Sequence, residues 1–191
     1  MLHPLRHLTG SLLLCTVLPL ASPAQARPAL TVSSPDLHPG GTLPLRQVYR
    51  GHGCTGANLS PALQWAHAPA GTRSYAITLH DPDAPHPGGW WHWVVYDLPA
   101  ATTSLPEGAG RTDAALLPRG AHQGRNDFGS ADYGGACPPP GDHAHRYVLT
   151  VHALDVASLG LPAGAPAASV ADAIRSHQIA SGQLVTTFAR R

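Results

Sequence analysis

The first residues with evident chemical potential are two carboxylates, Asp81 and Asp83, in the segment Asp81-Pro82-Asp83-Ala84-Pro85-His86-Pro87. The prolines prevent a preceding strand from continuing and stiffen the turn, so both carboxylates are held in a rigid loop. A pre-organised loop of this kind suits a ligand site. The alternative is an Asx-turn, in which each carboxylate accepts hydrogen bonds from nearby backbone N–H groups.

A second cluster is Trp90-Trp91-His92-Trp93, at the start of another predicted strand. If that strand alternates regularly, His92 shares a face with Val94 and Tyr96, and the flanking tryptophans Trp91 and Trp93 occupy the other face. A histidine among aromatic side chains is either a hydrogen-bonded core residue or a residue of a functional site. Both interpretations stay open on the sequence alone.

A third cluster runs from Cys137 through three prolines to His145, Arg146 and Tyr147. The proline-stiffened loop delivers these three side chains to the start of a strand, where Arg146 and Tyr147 point to opposite faces. The three clusters together supply acid, imidazole, phenol and guanidinium groups. Arginine and histidine donate to phosphate oxygens, and stiff apolar walls exclude water, so an anion pocket is one function that these residue types permit.

Other chemistries have weaker support. His92, His145 and Asp81 are ordinary metal-ligand types, but there is no H-E-x-x-H segment and no paired-cysteine spacing. No Gly-x-Ser-x-Gly elbow marks a nucleophilic serine, and no glycine-rich loop matches a P-loop or a dinucleotide fingerprint. We therefore expect no metal, no cofactor and no catalytic residues.

Strands must position these clusters. Ser74 to His80 alternates, with Tyr75, Ile77 and Leu79 on one face, and this period of two is typical of a strand. Aromatic and β-branched residues predict central strands at Trp91–Leu98 and Arg146–Leu154, separated by the long irregular stretch 99–145. Further predicted elements are strands at Ala29–Ser33, Thr42–Tyr49, Leu63–Trp65 and Leu184–Phe188, and a helix at Ala167–Ala180 ended by Gly182. This pattern favours a mainly β protein, a β-sandwich with one small helical addition.

The composition of the 191 residues excludes several classes of protein. The formal net charge is +1, and all 12 basic residues are arginines, so a basic surface for nucleic acid is not expected. The 20 glycines and 20 prolines argue against a helical bundle. At 43% hydrophobic residues the chain can bury a core.

The N-terminus has the pattern of a secretory signal peptide over residues 1–26. An apolar run from Leu8 to Leu20 is too short to span a bilayer, and Ala24-Gln25-Ala26 has the small residues of a cleavage site. A lipoprotein anchor on Cys15 is less favoured because Leu14 precedes it where a small residue is expected. We expect a single domain at 27–191, exported to the periplasm or secreted, with no transmembrane segment after cleavage.

Two cysteines, Cys54 and Cys137, remain after that cleavage. Two thiols in an exported chain favour a disulfide, and the alternative is two separate thiols with one or both near a site.

Taken together, the motifs resemble the phosphatidylethanolamine-binding protein family, and most closely its bacterial, Raf-kinase-inhibitor-like branch. Three stretches carry the resemblance: 81–85, 89–95, and 138–141 with His145-Arg146-Tyr147. Asn58-Leu59-Ser60-Pro61, residues 124–129 and the late helix fit the bacterial branch, and the similarity extends from Leu30 to Phe188. The resemblance implies a β-sandwich with a helix near the C-terminus, in agreement with the pattern of elements.

The resemblance also implies a pocket for phosphate or the headgroup of phosphatidylethanolamine. Its ligand-binding residues would be Asp81, Pro85, His92, Pro139, His145 and Tyr147, supported by Asp83, Trp90 and Arg146, with Arg146 tying the loops together. A bridge between Cys54 and Cys137 would join two loops beside this pocket.

The chain is thus predicted to be a non-enzymatic, exported ligand-binding module. The alternatives are an inhibitor or regulator of a protease or kinase acting through the loops at the pocket rim, and a metal-assisted or acid–base hydrolase using Asp81, His92 and His145. Because Asp81 would repel phosphate, we expect it to be protonated, or to be hydrogen-bonded to a ligand amine or a pocket histidine. We also expect anion affinity to rise below about pH 6.5, where His92 and His145 would gain charge.

Overall fold

The computed structural model describes residues 29–190. The predicted signal peptide, residues 1–26, lies outside the described residues and stays a prediction. None of the described helices has both the length and the apolar character needed to cross a membrane.

Ten strands and one helix make up the described part of the chain. In order they are β1 Thr31–Ser33, β2 Arg50–Gly51, β3 Cys54–Thr55, β4 Leu63–Ala66, β5 Ser74–Asp81, β6 Trp90–Pro99, β7 Ser104–Leu105, β8 His122–Gln123, β9 His145–Leu154, α1 Ala167–His177 and β10 Gln178–Phe188. The three central strands that the sequence predicts are all present, each one or two residues longer than expected.

The strands form one large antiparallel sheet and two smaller sheets. The large sheet has the order β10-β9-β5-β6-β8, the second sheet has the order β1-β4-β7, and β2 pairs with β3. Strand β5 is therefore central, between β9 and β6. Since its partners are antiparallel, the end of β5 lies beside the starts of β6 and β9, which brings the three polar clusters to one edge of the sheet.

Two hydrophobic cores cover the two faces of the large sheet. The first lies between the sheets and contains Trp65 of β4 together with Ile77 and Leu149 of the large sheet. The second lies between the large sheet and α1, where Val94 and Tyr96 belong to the same cluster as Val170 and Ile174 of the helix. The mainly β sandwich with a helix near the C-terminus is confirmed.

Two sequence predictions about elements are wrong. Thr42–Tyr49 is not a strand but a series of turns with isolated bridges at Thr42 and Val48. Its Pro44 lacks the N–H that a ladder needs. The helix ends at His177 rather than Ala180, because β10 begins at Gln178 and pairs along the whole of β9. Gly182 therefore lies inside β10, where a Cβ atom would stand 2.5 Å from the carbonyl oxygen of Leu30.

The packing of α1 gives a direct test with matched side chains. Ile174 of the helix is 2% exposed, whereas Ile179 of the neighbouring strand is 41% exposed. We expect Ile174→Ala to lower the free energy of unfolding by about 2–5 kcal/mol, because it opens a cavity. Ile179→Ala should cost less than about 1 kcal/mol. Urea denaturation checks both values, and equal losses would show that the helix does not pack as described.

Candidate functional site

A cavity of about 320 Å³ opens at the edge of the large sheet where β5 ends and β6 and β9 begin. Asp81 is the last residue of β5, Trp90 the first of β6, and His145 the first of β9. The lining residues come from these strand ends and from the loops beside them: His52, Asp81, Ala84, Pro85, His86, Trp90, His92, Phe128, Cys137, Pro138, Pro139 and His145.

Most of the predicted ligand-binding residues lie together at this cavity. Five of them, namely Asp81, Pro85, His92, Pro139 and His145, line it, and so does the supporting residue Trp90. Tyr147 does not line the cavity but packs behind His92, with the two ring centroids 5.2 Å apart. The structure thus brings the predicted ligand-binding residues together, and the role of these residues in binding stays a prediction.

A buried hydrogen-bonded chain joins two of the loops. His145 is fully buried; its Nδ1 lies 2.7 Å from Oδ2 of Asp81 and its Nε2 lies 3.2 Å from Oδ2 of Asp142. Burial by itself lowers the pKa of His145, but the hydrogen bonds to Asp81 and Asp142 outweigh burial and raise that pKa above 6.5. The imidazolium donates to both carboxylates, so Asp81 is hydrogen-bonded to a pocket histidine, one of the arrangements expected from the sequence.

Asp83 and Arg146 form a second link between the same loops, outside the cavity. The Arg146 guanidinium donates to both Asp83 oxygens at 2.8 and 2.6 Å, and the Arg146 backbone N–H donates at 2.8 Å. The side-chain hydrogen bond from Arg146 holds the pKa of Asp83 well below its usual range. Arg146 therefore connects the loop after β5 to the start of β9. Within the loop after β5, the backbone N–H of Asp83 donates to Oδ1 of Asp81 at 2.9 Å, which forms an Asx-turn.

His92 reaches the cavity through an irregularity in β6. Leu79 of β5 lies opposite Trp93 of β6, and the next residue of β5, His80, lies opposite Trp91. His92 therefore has no partner on β5 and forms a β-bulge. The bulge reverses the expected alternation: Trp91 packs with Val94 and Tyr96 on the helix side, and His92 faces the cavity. The sequence prediction that His92 shares a face with Val94 and Tyr96 is wrong for this reason.

Hydrogen bonding fixes the tautomer of His92, and burial fixes its charge. Its Nδ1 lies 2.9 Å from the carbonyl oxygen of Gly134 and 3.0 Å from that of Gly135, and carbonyls only accept, so Nδ1 carries the proton. Burial lowers the pKa of His92 to about 4. At neutral pH the ring is uncharged, and its Nε2 is an acceptor.

The expected gain of charge near pH 6.5 is therefore wrong for His92. Burial keeps His92 neutral down to about pH 4, and the two carboxylates already favour protonated His145 above pH 6.5.

Polar atoms without partners are concentrated at this site. Within residues 29–190, five buried side-chain polar atoms make no hydrogen bond, and three of them are Nε1 of Trp90, Nε2 of His92 and the hydroxyl of Tyr147. Trp90 and His92 line the cavity, and Tyr147 lies directly behind it. The set contains a donor, an acceptor and a hydroxyl that can act as either. Buried polar groups are normally paired, so these three atoms are candidate contacts for a ligand.

Comparison with known proteins agrees with this geometry. A family model described as "Phosphatidylethanolamine-binding protein" matches residues 33–189. The chain belongs to the phosphatidylethanolamine-binding protein family. The sequence-based resemblance is confirmed.

Three relatives cover most of the chain. YbcL of Escherichia coli K12 is 42% identical over 178 residues, covering 93% of this chain and 97% of YbcL. The crystal structure of YbcL matches with a TM-score of 0.84, covering 86% of this chain and all of that chain. YbhB of the same organism is 46% identical over 155 residues, 81% of this chain and 97% of YbhB. A Mycobacterium tuberculosis H37Rv protein named "Putative lipoprotein LppC" is 39% identical over 176 residues, 91% of this chain and 79% of that protein.

Six lining residues of this family member lie outside the predicted ligand-binding and supporting residues, and three of the six carry aromatic rings: His52, His86 and Phe128. The Phe128 ring meets Trp90 edge-on, with centroids 5.4 Å apart, and stacks on Tyr49 at 4.2 Å. Its segment, residues 124–129, carried part of the resemblance but no assigned role. Contacts between distant segments place His52 and Phe128, whereas His86 belongs to the segment 81–87 that the sequence analysis had identified.

A disulfide between Cys54 and Cys137 fixes the wall of the pocket. The two Cα atoms are 5.9 Å apart, and Cys137 lines the cavity next to Pro138. The bridge confirms the interpretation that the two thiols are paired. It connects residues 83 positions apart. The bridge therefore joins the turn that contains His52, between β2 and β3, to the proline loop, residues 137–144.

Breaking this bridge should weaken the fold and loosen the pocket wall. In the chain-entropy model a loop of this length contributes about 4 kcal/mol. We expect the double variant Cys54→Ser/Cys137→Ser to lose about 2–4 kcal/mol of unfolding free energy, measured by urea denaturation. Adding a reductant should lower the stability of the unsubstituted chain similarly and leave the double variant unchanged. Loss in the double variant as well would show that the reductant acts elsewhere.

Proposed function

We propose that the chain is an exported binding protein whose pocket holds a small phosphate-bearing ligand, either a free phosphate ester or a phospholipid headgroup. Membership of the phosphatidylethanolamine-binding protein family supports this class of ligand. The observation that carries the proposal is the set of unpaired buried atoms on Trp90, His92 and Tyr147 at one cavity.

The unpaired atoms complement a protonated phosphate ester. The indole N–H of Trp90 can donate to a phosphoryl oxygen, and Nε2 of His92 can accept from a P–OH group or an ammonium group. A fully ionised phosphate has no proton to offer His92. The ligand is therefore a phosphate that carries a hydrogen-bond donor, as a monoester does in its singly protonated form and as ethanolamine does through its amine.

The charges around the pocket fit the same ligand. Among the residues that line the cavity, His145 is the one with a raised histidine pKa, and its imidazolium is already shared between Asp81 and Asp142. The Arg146 guanidinium is paired with Asp83 outside the cavity. A site with so little free positive charge disfavours a doubly charged anion and accommodates a singly charged or zwitterionic ligand.

Calorimetric titration of the untagged protein with phosphoethanolamine and with glycerophosphocholine tests the ligand class. Phosphoethanolamine carries both donors, whereas the diester lacks a P–OH and its quaternary amine lacks an N–H. We expect phosphoethanolamine to bind at least about tenfold more tightly, since one hydrogen bond with a charged partner contributes about 1.5–3 kcal/mol. Inorganic phosphate and vesicles containing phosphatidylethanolamine distinguish the sources: vesicle binding without phosphate binding identifies a headgroup.

Two histidine variants provide the matched comparison. His92→Ala should weaken phosphoethanolamine binding about tenfold or more, because it removes the acceptor. His152→Ala is the control, since the Nε2 of that half-buried histidine lies 3.0 Å from the Thr78 hydroxyl and its Nδ1 lies 2.6 Å from Gln178. Retained binding in His92→Ala together with a large loss of stability would return His92 to a core role and contradict the proposal.

The pH dependence separates ligand protonation from protein protonation. The second pKa of a phosphate monoester is about 6, so its P–OH form grows as the pH falls from 7.5 to 5. His92 stays an acceptor over this range, because burial lowers its pKa to about 4. We expect the affinity for glycerol 3-phosphate, a monoester without an amine, to rise about tenfold between pH 7.5 and 5 and to fall again below about pH 4. The diester glycerophosphocholine does not titrate in this range and reports any change that comes from the protein. A constant affinity for the monoester, or an equal rise for the diester, would contradict ligand protonation as the cause.

Export rests on three supports. These are the cleavage pattern after Ala26, the disulfide between Cys54 and Cys137, and a relative whose name describes a lipoprotein. When the full chain is expressed in a bacterium, we expect a periplasmic or secreted product whose intact mass corresponds to a chain that begins at Arg27. A cytosolic product that retains Met1 would contradict export. The alternative roles as a protein inhibitor and as a hydrolase stay predictions.

A further inference from the structure

A cluster of metal-ligand side chains lies on the proline loop, beside the pocket. One ligand atom from each of Asp142, His143 and His145 lies within 4.8 Å of the others. Asp142 connects the two imidazoles: its Oδ1 is 3.0 Å from Nδ1 of His143, and its Oδ2 is 3.2 Å from Nε2 of His145. Asp142 and His143 do not line the cavity, so the cluster is a separate group of residues that shares only His145 with the pocket.

A further contact orients one of these imidazoles as metal sites do. Nδ1 of His145 lies 2.7 Å from Asp81, a carboxylate outside the cluster that is 2% exposed. Metal-binding histidines commonly donate one ring N–H to a carboxylate, which fixes the ring and leaves the other nitrogen for the ion. Here Asp81 holds the ring in place, and a metal ion would displace the proton that Nε2 otherwise donates to Asp142, so that binding releases a proton.

The remaining two ligands are accessible and free to adjust. The side chain of His143 is 69% exposed and that of Asp142 is 33% exposed, whereas the His145 ring is fully buried. The site therefore has one rigid ligand and two that can rotate onto an ion arriving from solvent. This division suits binding from solution, because small movements bring the ligand atoms to about 2.0–2.2 Å from a common centre.

From this arrangement we propose that Asp142, His143 and His145 bind one divalent transition-metal ion, with Asp81 as the carboxylate that orients His145. Two imidazole nitrogens and one carboxylate oxygen are a donor set for zinc and its neighbours rather than for Mg²⁺ or Ca²⁺, which prefer oxygen ligands. Three protein ligands leave a fourth position for water or for an anionic group. Because His145 also lines the pocket, that ion lies next to the proposed ligand.

Zinc titration of the untagged protein by calorimetry tests the site, with Co²⁺ absorption reporting the ligand geometry. We expect one equivalent of Zn²⁺ to bind, and Co²⁺ to give visible bands of a low-symmetry, nitrogen- and oxygen-ligated ion. His143→Ala should weaken zinc binding about tenfold or more, as loss of a ligand does. Since His143 is exposed, this variant should keep the thermal unfolding midpoint of the unsubstituted protein.

His177→Ala is the matched control. His177 is also an exposed histidine whose Nδ1 lies 3.0 Å from a carboxylate, Asp155, and neither residue belongs to the three-ligand cluster. We expect this variant to bind zinc as the unsubstituted protein does. Absence of stoichiometric binding, or equal zinc affinity in the two variants, would overturn the proposal. The titration contains no phosphate ligand, so its outcome is independent of the pocket's function.

Discussion

The hydrogen bond between the buried side chains of Asp81 and His145 joins the end of β5 to the start of β9, and the pocket depends on it. Removing one partner of such a buried pair leaves an uncompensated polar group and typically costs about 3–5 kcal/mol. A second hydrogen bond orients each partner: Asp81 accepts from the backbone N–H of Asp83, and Nε2 of His145 is hydrogen-bonded to Asp142. With Arg146 paired to Asp83 outside the cavity, the two loops have fixed positions before any ligand binds.

This internal pairing determines what the pocket can recognise. The charged groups near the cavity neutralise one another, and the groups left unpaired are Nε2 of His92, Nε1 of Trp90 and the Tyr147 hydroxyl. In the proposed function, recognition relies on the direction of hydrogen bonds in a cavity with apolar walls rather than on a surplus of positive charge. The near-neutral composition of the sequence, with a formal charge of +1, is consistent with such a local site.

Much of this could be predicted from the sequence, because strong local patterns marked the central strands and proline marked the loops. Strands β5, β6 and β9 and the residues at their ends were found correctly, and antiparallel pairing then brings them together. What could not be predicted depends on distant pairing. The bulge at His92 arises from the register between β5 and β6, and the depressed pKa of His92 arises from burial by Phe128 and Tyr147, which other segments supply. The helix end at His177 was likewise set by the pairing of β10 with β9.

The proposed function depends on a His92 that is neutral at pH 7 and presents Nε2 as an acceptor to the ligand. Long-range proton–nitrogen correlation by NMR on ¹⁵N-histidine-labelled protein reports tautomer and charge directly. We expect a neutral His92 with the proton on Nδ1, and an Nε2 resonance that shifts on addition of phosphoethanolamine while the resonances of His152 stay in place. A protonated His92 at pH 7, a proton on Nε2, or an Nε2 resonance unmoved by saturating phosphoethanolamine would contradict it.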